Sequence, residues 1–548
     1  MLNNVNISIT DIIILLAYFA LIIWWALKHG KSKDSDSYFL AGRDMKWPIV
    51  GLSLFAASVS SSTLMGHSGE GFISGIAVFN YNIVSILVMV FFGMFFLPFY
   101  IKSKIYTIPE FLERRFDRKS RTYFSFITII GNVFLDAAAT LYTGALIVKL
   151  IFPAADLFTI IVIMALVAGS YTIIGGLSSA INADMIQAII LIVGSCILSI
   201  YAFNEIGGWT EFHNRFSEGV WLKLTRPLDD PTVPWLGMIV GIPILGFYFW
   251  GNNQVMVQRV LSAKSIDHGR KGVLLVGFLY LLTLFIFIIP GLIGRGIDLF
   301  GVDNLPSEMI AGLELKEHYG INTDEVYPRL ITRLLPVGLI GIILAAMVSA
   351  LTSTLSATLS SVSTLFTMDF YSKVNPKADS KKLVRVGRVT AAIMLVVAVV
   401  WAPFIAKFDS LVSYYQEIVS YLAPPIVGTF FLGLFWKRSN SQGAFAGLMS
   451  GLVMAAGMMI AKYGLAFNPG IHFLIMAPII MILSMLVNII ISYLTKLPDI
   501  NKVKENSWTT ALWSEETQAL KGVVWYKNFR VLSLLLVLSC VVMYALYY

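Results

Sequence analysis

Apolar residues in this chain arrive in blocks of about twenty or more, and a block of that length matches a helix crossing the hydrocarbon core of a bilayer. Such blocks run over 10–28, 47–72, 75–102, 121–151, 157–176, 181–203, 235–258, 271–295, 336–367, 386–406, 409–437, 441–463, 470–495 and 529–547. Backbone inside lipid must satisfy its own hydrogen bonds, so these blocks fold as helices. About fourteen spans make an all-α polytopic membrane protein. With 57% of 548 residues hydrophobic and 13% charged, a soluble enzyme, a secreted disulfide scaffold, a disordered tail protein or a nucleic-acid binder is excluded. None of these could hide so much apolar surface. The two cysteines, Cys196 and Cys540, lie inside apolar blocks and point to neither a disulfide framework nor a metal site. The first block lacks a basic start and a small-residue cleavage site, so it reads as a retained helix.

The net charge of +8 reads either as attraction to nucleic acid or as Lys and Arg gathered in cytoplasmic loops. Placement favours the loops. Lys28, Lys31 and Lys33 follow span 1, and Arg114, Arg115, Arg118, Lys119 and Arg121 follow span 3. Arg259, Lys264, Arg270 and Lys271 follow span 7, Lys373 to Arg388 follow span 9, and Lys437 and Arg438 follow span 11. Every cluster follows an odd-numbered span, which puts those ends in the cytoplasm and both termini on the outer side of a cell (inner or plasma) membrane. The segment Thr107–Arg121, charged and with Pro109 at a helix start, reads as a cytoplasmic surface helix. The polar stretches 204–234, 296–330 and 496–528 are too short for a soluble domain.

Span 2 is interrupted by Ala57-Ser58-Val59-Ser60-Ser61-Ser62-Thr63, and span 7 by Gly246 and Gly251-Asn252-Asn253-Gln254. Two weakened helices five apart predict two five-helix units, 47–203 and 235–437. Span 10–28 precedes them, and 441–463, 470–495 and 529–547 follow, within one transporter domain over 1–548. An odd-numbered unit repeated in one chain is inverted in the membrane, and matching interrupted helices in inverted halves point to a binding site.

Span 9 carries Ser349, Thr352, Ser353, Thr354, Ser356, Thr358, Ser360, Ser361, Ser363 and Thr364. Small hydroxyl residues serve close helix packing. They also complete an oxygen cage for a hard cation beside carbonyls freed by a broken helix. Packing accounts for the tract as a whole, while the cation reading competes for the turns facing span 2. An acid at membrane depth marks a functional site by default. Asp136, among Phe134, Leu135 and three alanines, fits that reading. Asp184 fits it or a helix N-cap equally. Gln416 and Glu417 stand near the start of span 11, where solvent would also suit them, and His67 on span 2 reads first as packing. No metalloprotease, nucleophile-elbow or phosphate-loop motif is present. Without an ATP site, uphill transport draws on an ion gradient.

Several runs carry a resemblance along nearly the whole chain. They are Tyr171-Thr172-Ile173-Ile174-Gly175-Gly176-Leu177-Ser178-Ser179 and Gly433-Leu434-Phe435-Trp436-Lys437-Arg438 through Gly443-Ala444 to Gly447 and Gly451. Tyr38-Phe39-Leu40-Ala41-Gly42, Ile105-Tyr106-Thr107-Ile108-Pro109-Glu110-Phe111 and Phe366-Thr367-Met368-Asp369 join them. The chain resembles the sodium:solute symporter family, in its sodium/sugar (glucose/galactose) cotransporter branch. The resemblance implies a fourteen-helix, inverted five-plus-five (LeuT-like) fold with helices 2 and 7 broken. It implies a sodium site of the Ala56 and Val59 carbonyls, the Ala350 carbonyl and the Ser353 and Thr354 hydroxyls. Relatives with a second sodium use the acid at Asp184 and two successive hydroxyls. Here Ser356 fits the first hydroxyl position and Ala357 stands at the second, so a single sodium is expected.

The positions that match the sugar carriers' site are Ser58, Thr63, Asn82, Tyr280 and Gln416; with Ser60, Ser85 and Asp136 they form the expected substrate site, and His67, Tyr81 and Phe249 are the expected gates. Only Gln416 keeps the side-chain type of the sugar carriers, and Phe249 keeps a gating ring without its hydroxyl. The three hydroxyls on span 2 look like those of sialic-acid members, yet the arginine those offer a carboxylate falls at Leu135 or Asp136. An acid beside an anion repels it. The expected activity is therefore sodium-coupled uptake of a neutral, hydroxyl-rich sugar or polyol, with lipid and solute as the partners. The alternatives are a sodium- or proton-coupled carrier of another organic solute such as a carboxylate, a channel, or a non-transporting sensor.

Overall fold

The computed structural model describes residues 8–30, 34–152, 154–230, 233–302, 312–407, 411–464 and 470–548. Lys31 and Lys33 of the first basic cluster, and residues 409–410 of the eleventh expected span, lie outside these. Among the described residues the secondary structure is helical, and twelve helices are long and apolar enough to cross a membrane. Trp47–Ser58 is a further, shorter apolar helix.

Local chemistry sets where helices end. The Trp47–Ser58 helix stops because Val59 takes φ −100°, ψ 89° and Ser60 is extended. The Ser60 hydroxyl then accepts the Thr63 amide and caps Ser61–Ser74. Serine side chains compete with the helical ladder and favour caps, so a run of them ends one helix and starts another. Asn253 does the same farther along. It is extended at φ −72°, ψ 121°, and its side chain accepts from the Val255 amide (2.8 Å) to cap Gln254–Leu261 after Trp235–Asn252.

The segments expected at 157–176 and 181–203 form one helical run, Leu157–Ile206. Gly176 bends it, with φ 60° and ψ −149°, a region essentially reserved for glycine. Asp184 therefore lies inside a helix, and the N-cap reading of it is corrected. The surface helix expected at Thr107–Arg121 is shorter, Ile108–Arg115: it buries Ile108, Phe111, Leu112 and Arg115 on one face and leaves Arg114 exposed on the other, and Arg118 already opens the next long helix. Arg115 is held inside because its Nε donates to the Gly433 carbonyl (2.7 Å), and Arg121 because it pairs with Asp369 and Glu113.

The hydroxyl-rich helix, Leu339–Val374, is the axis of the bundle. Its side chains are almost all buried, and it packs against Leu157–Ile206, Trp47–Ser58 and Ile9–His29. The first helix braces it. Asp11 Oδ1 accepts the amides of Gly338 (2.9 Å) and Gly341 (2.7 Å), an acid at a helix N-terminus, and Tyr18 accepts from Ser349 (2.8 Å).

A methyl group on Gly176 would approach the Tyr38 carbonyl to 2.4 Å, whereas one on Gly457 meets nothing within 4 Å. We expect Gly176→Ala to cost about 1–3 kcal/mol and to lower the melting temperature of the detergent-solubilised protein. Gly457→Ala should leave it unchanged or raise it.

Candidate functional site

The last carbonyls of any helix lack an amide partner from the same helix. Where Trp47–Ser58 ends, the Phe55 carbonyl takes the Val59 amide and the Ser58 hydroxyl (2.9 Å), and Thr354 on the hydroxyl-rich helix donates to the Ala57 carbonyl at 3.4 Å. Ala56, Val59 and Ala350 are each buried to within 1%. Ser353, next to Thr354, turns another way and donates to Asp184 Oδ1 at 2.6 Å.

Asp184 gathers a compact polar knot. Its Oδ2 accepts from Ser53 Oγ (2.6 Å), Arg259 Nη2 (2.8 Å) and Arg259 Nε (3.2 Å), and both charged side chains are fully buried. The counter-charge of this acid is therefore Arg259, from the helix that Asn253 caps. The Ser356 hydroxyl, the other half of the second-cation pair, is buried without a hydrogen-bond partner. The sequence reading counted Arg259 among loop charges. Its spacing from Asn253 places it inside the capped helix, the one signal that marks it as something else.

Next to the interruption opens a cavity of about 340 Å³. Of the residues singled out in the sequence, Ser58, Ser60, Thr63, His67, Tyr81, Asp136, Phe249, Thr354 and Gln416 line it. Ser60, Thr63 and His67 share one helical face, as residues three and four apart do. Asp136 lies in a π-helical stretch, Gly131–Ala137, a geometry frequent at functional sites. With its amide nitrogen turned to the acid, Asn132 donates to Asp136 Oδ2 (3.2 Å) and accepts from Ser361 (2.8 Å).

Asn82, Ser85 and Tyr280 do not line the cavity. Asn82 is buried and donates to Thr283, while Ser85 is half-buried facing Gly246. The Tyr280 ring packs edge-on against Phe55 and Trp250. Sequence reasoning missed Glu70, Thr140 and Thr143 on the wall, and marked Asn253 there only as part of the span 7 interruption. The Asp136, Thr140 and Thr143 spacing is a helical stripe that could have revealed two of them.

The family model described as Sodium:solute symporter family matches residues 38–451. Solute carrier family 5 member 4A of Mus musculus is 36% identical over 546 residues, covering 91% of this chain and 82% of that protein. Sodium/glucose cotransporter 1 of the same species is 34% identical over 537 residues (90% and 79%). The Homo sapiens sodium/myo-inositol cotransporter is 33% identical over 557 residues (93% and 76%). Among solved structures, a substrate-bound, outward-open Na+-coupled sialic acid symporter superposes with a TM-score of 0.77 at 22% identity. It covers 90% of this chain and 99% of that one, and likeness at that identity speaks for the fold alone.

Removing one partner of a buried ion pair strands the other charge, at a cost of about 3–5 kcal/mol. Arg259→Met should therefore destabilise the protein strongly, and adding Asp184→Asn should restore most of the loss. Thermal unfolding of both variants in detergent checks this. A double variant no more stable than the single one would mean that the stranded carboxylate is not the cause.

Proposed function

Because this chain belongs to the sodium:solute symporter family, we propose that it carries sodium and a sugar or polyol across a cell membrane together, drawing on the sodium gradient. Transport of this kind makes and breaks no covalent bond, so the side chains have only to bind, release and move.

The supporting observation is that Thr354 does two things at once: its hydroxyl meets a carbonyl at the helix interruption, and it forms part of the cavity wall. A sodium ion among Ala56, Val59, Ala350, Ser353 and Thr354 would brace that wall where the solute sits. If sodium tightens solute binding, solute tightens sodium binding by the same factor. Ser58, Ser60, Thr63, Asp136 and Gln416 offer the solute hydroxyl, carboxylate and amide groups. His67, Tyr81 and Phe249 serve as the gates, and Asn82, Ser85 and Tyr280 support the wall from behind. We favour one sodium, since Arg259 already neutralises Asp184 and Ala357 offers no hydroxyl.

In this reading the run Leu157–Ile206 counts as two spans bent at Gly176, and Trp47–Ser74 as one span. Together with Phe79–Phe95 that yields fourteen spans, with the two interrupted helices as counterparts in an inverted five-plus-five repeat and both termini outside. One charge crossing 100 mV is worth about 2.3 kcal/mol and a tenfold sodium gradient about 1.4 kcal/mol. One ion thus sustains a solute gradient of several hundredfold, on the order of 10². A carboxylate solute is disfavoured by Asp136 and Glu70 on the same wall.

Proteoliposomes offered radiolabelled sugars, polyols and carboxylates from outside, with and without a sodium gradient, test the proposal. Sugar or polyol uptake that collapses without sodium is the expected result. Uptake of carboxylates alone, or uptake driven by acid in sodium-free buffer, would overturn it. Thr354→Ala is expected to raise the half-saturating sodium concentration about tenfold, the loss of one charge-assisted ligand.

A further inference from the structure

We infer that Glu70 makes this cavity prefer sugars or polyols bearing a protonated amine over their neutral parents. The inference rests on the sugar-or-polyol reading above and narrows it.

Ser60, Thr63, His67 and Glu70 all line the cavity from the Ser61–Ser74 helix and its cap, and their spacing puts them on one face as a polar track. From Thr63 to Glu70 the helix rises about 10 Å. Helical side chains lean back toward the N-terminus, so the Glu70 carboxyl reaches down toward Thr63. A single six-membered ring resting on Thr63 spans the remaining gap with an exocyclic group.

The charged side chains on the cavity wall are acids: the lining residues include Glu70 and Asp136 and, among the described residues, no Lys or Arg. Behind the wall, Asp324 and Asp230 bear on Glu70, as Glu70 does on Tyr81. Arg226 stands beside Asp230 and donates to the Ser74 carbonyl on Glu70's own helix, so the uncompensated charge is on the cavity side. Asp324 belongs to the turn Thr323–Glu325, which packs on Gly69, and Lys316 bears on that acid in turn. Glu70 Oε2 is buried with no hydrogen-bond partner. A solute hydroxyl would give this oxygen an ordinary hydrogen bond. An ammonium gives it a charge-assisted one, roughly twice as strong, and offsets the surplus negative charge. An anionic solute is repelled.

The test is sodium-driven uptake, at pH 7 where the amines are still largely protonated, of two matched pairs: myo-inositol with a monoamino-inositol, and glucose with 2-amino-2-deoxyglucose. The readout is the ratio of kcat/KM for the amine to that for its parent. In the wild type this ratio is expected to exceed one by about tenfold, to collapse toward one in Glu70→Gln, and to survive in part in Glu70→Asp. A second measurement needs no variant: raising the pH until the amines are neutral should erase the preference. A wild-type ratio of one or less, or a ratio unchanged in Glu70→Gln, overturns the role of Glu70. Either result leaves the sugar-or-polyol reading standing if the neutral parents are still taken up with sodium. Absence of sodium-driven uptake for all four compounds overturns both.

Discussion

A carbonyl released from a helix at membrane depth has no water to turn to, and lipid offers it nothing. The stretch around Val59 and Ser60 therefore needs polar company within the protein, and the hydroxyl-rich Leu339–Val374 helix provides it. Thr354 meets the Ala57 carbonyl, and Ser353, one residue away, meets Asp184. Burying a helix this polar is tolerable because many of its hydroxyls find a partner, several of them on their own turn. Thr352, Thr358 and Thr364 each donate to the carbonyl four residues before. The bundle is thus organised around one irregular point, and the first helix holds the partner of that point in place through Asp11 and Tyr18.

The sequence exposes the apolar blocks and the all-helical membrane architecture, because hydrophobic length needs no tertiary information. Asp136 was conspicuous for a similar reason: a carboxyl among alanines has few structural excuses. Finer placement was not legible. Tyr81 lines the cavity while its neighbour Asn82 is buried behind the wall, because consecutive residues on a helix point about 100° apart and a motif does not fix the rotation. Arg259 and Arg115 look like loop charges in a list of basic residues. Only the packed structure shows the acid and the carbonyl that hold them inside. Gly176 looks like one more glycine in a rich run until its backbone angles are known.

With sodium at the proposed site, Asp184 and Arg259 would bear on how it leaves as well as how it binds. Ser353 donates its hydrogen to Asp184 and keeps its lone pairs, so it can still face a cation. A cation there would stand near the carboxylate. With an unpaired acid at about 4 Å and an effective dielectric constant near 20, the attraction would be about 4 kcal/mol. Such an attraction would slow release by roughly a thousandfold, since each 1.4 kcal/mol is tenfold. Arg259 cancels most of that charge. An ion at the proposed site would then be held by neutral carbonyls and hydroxyls, strongly enough to enter and weakly enough to depart. In that proposal, a buried pair that adds little to stability would keep a carrier from becoming a trap.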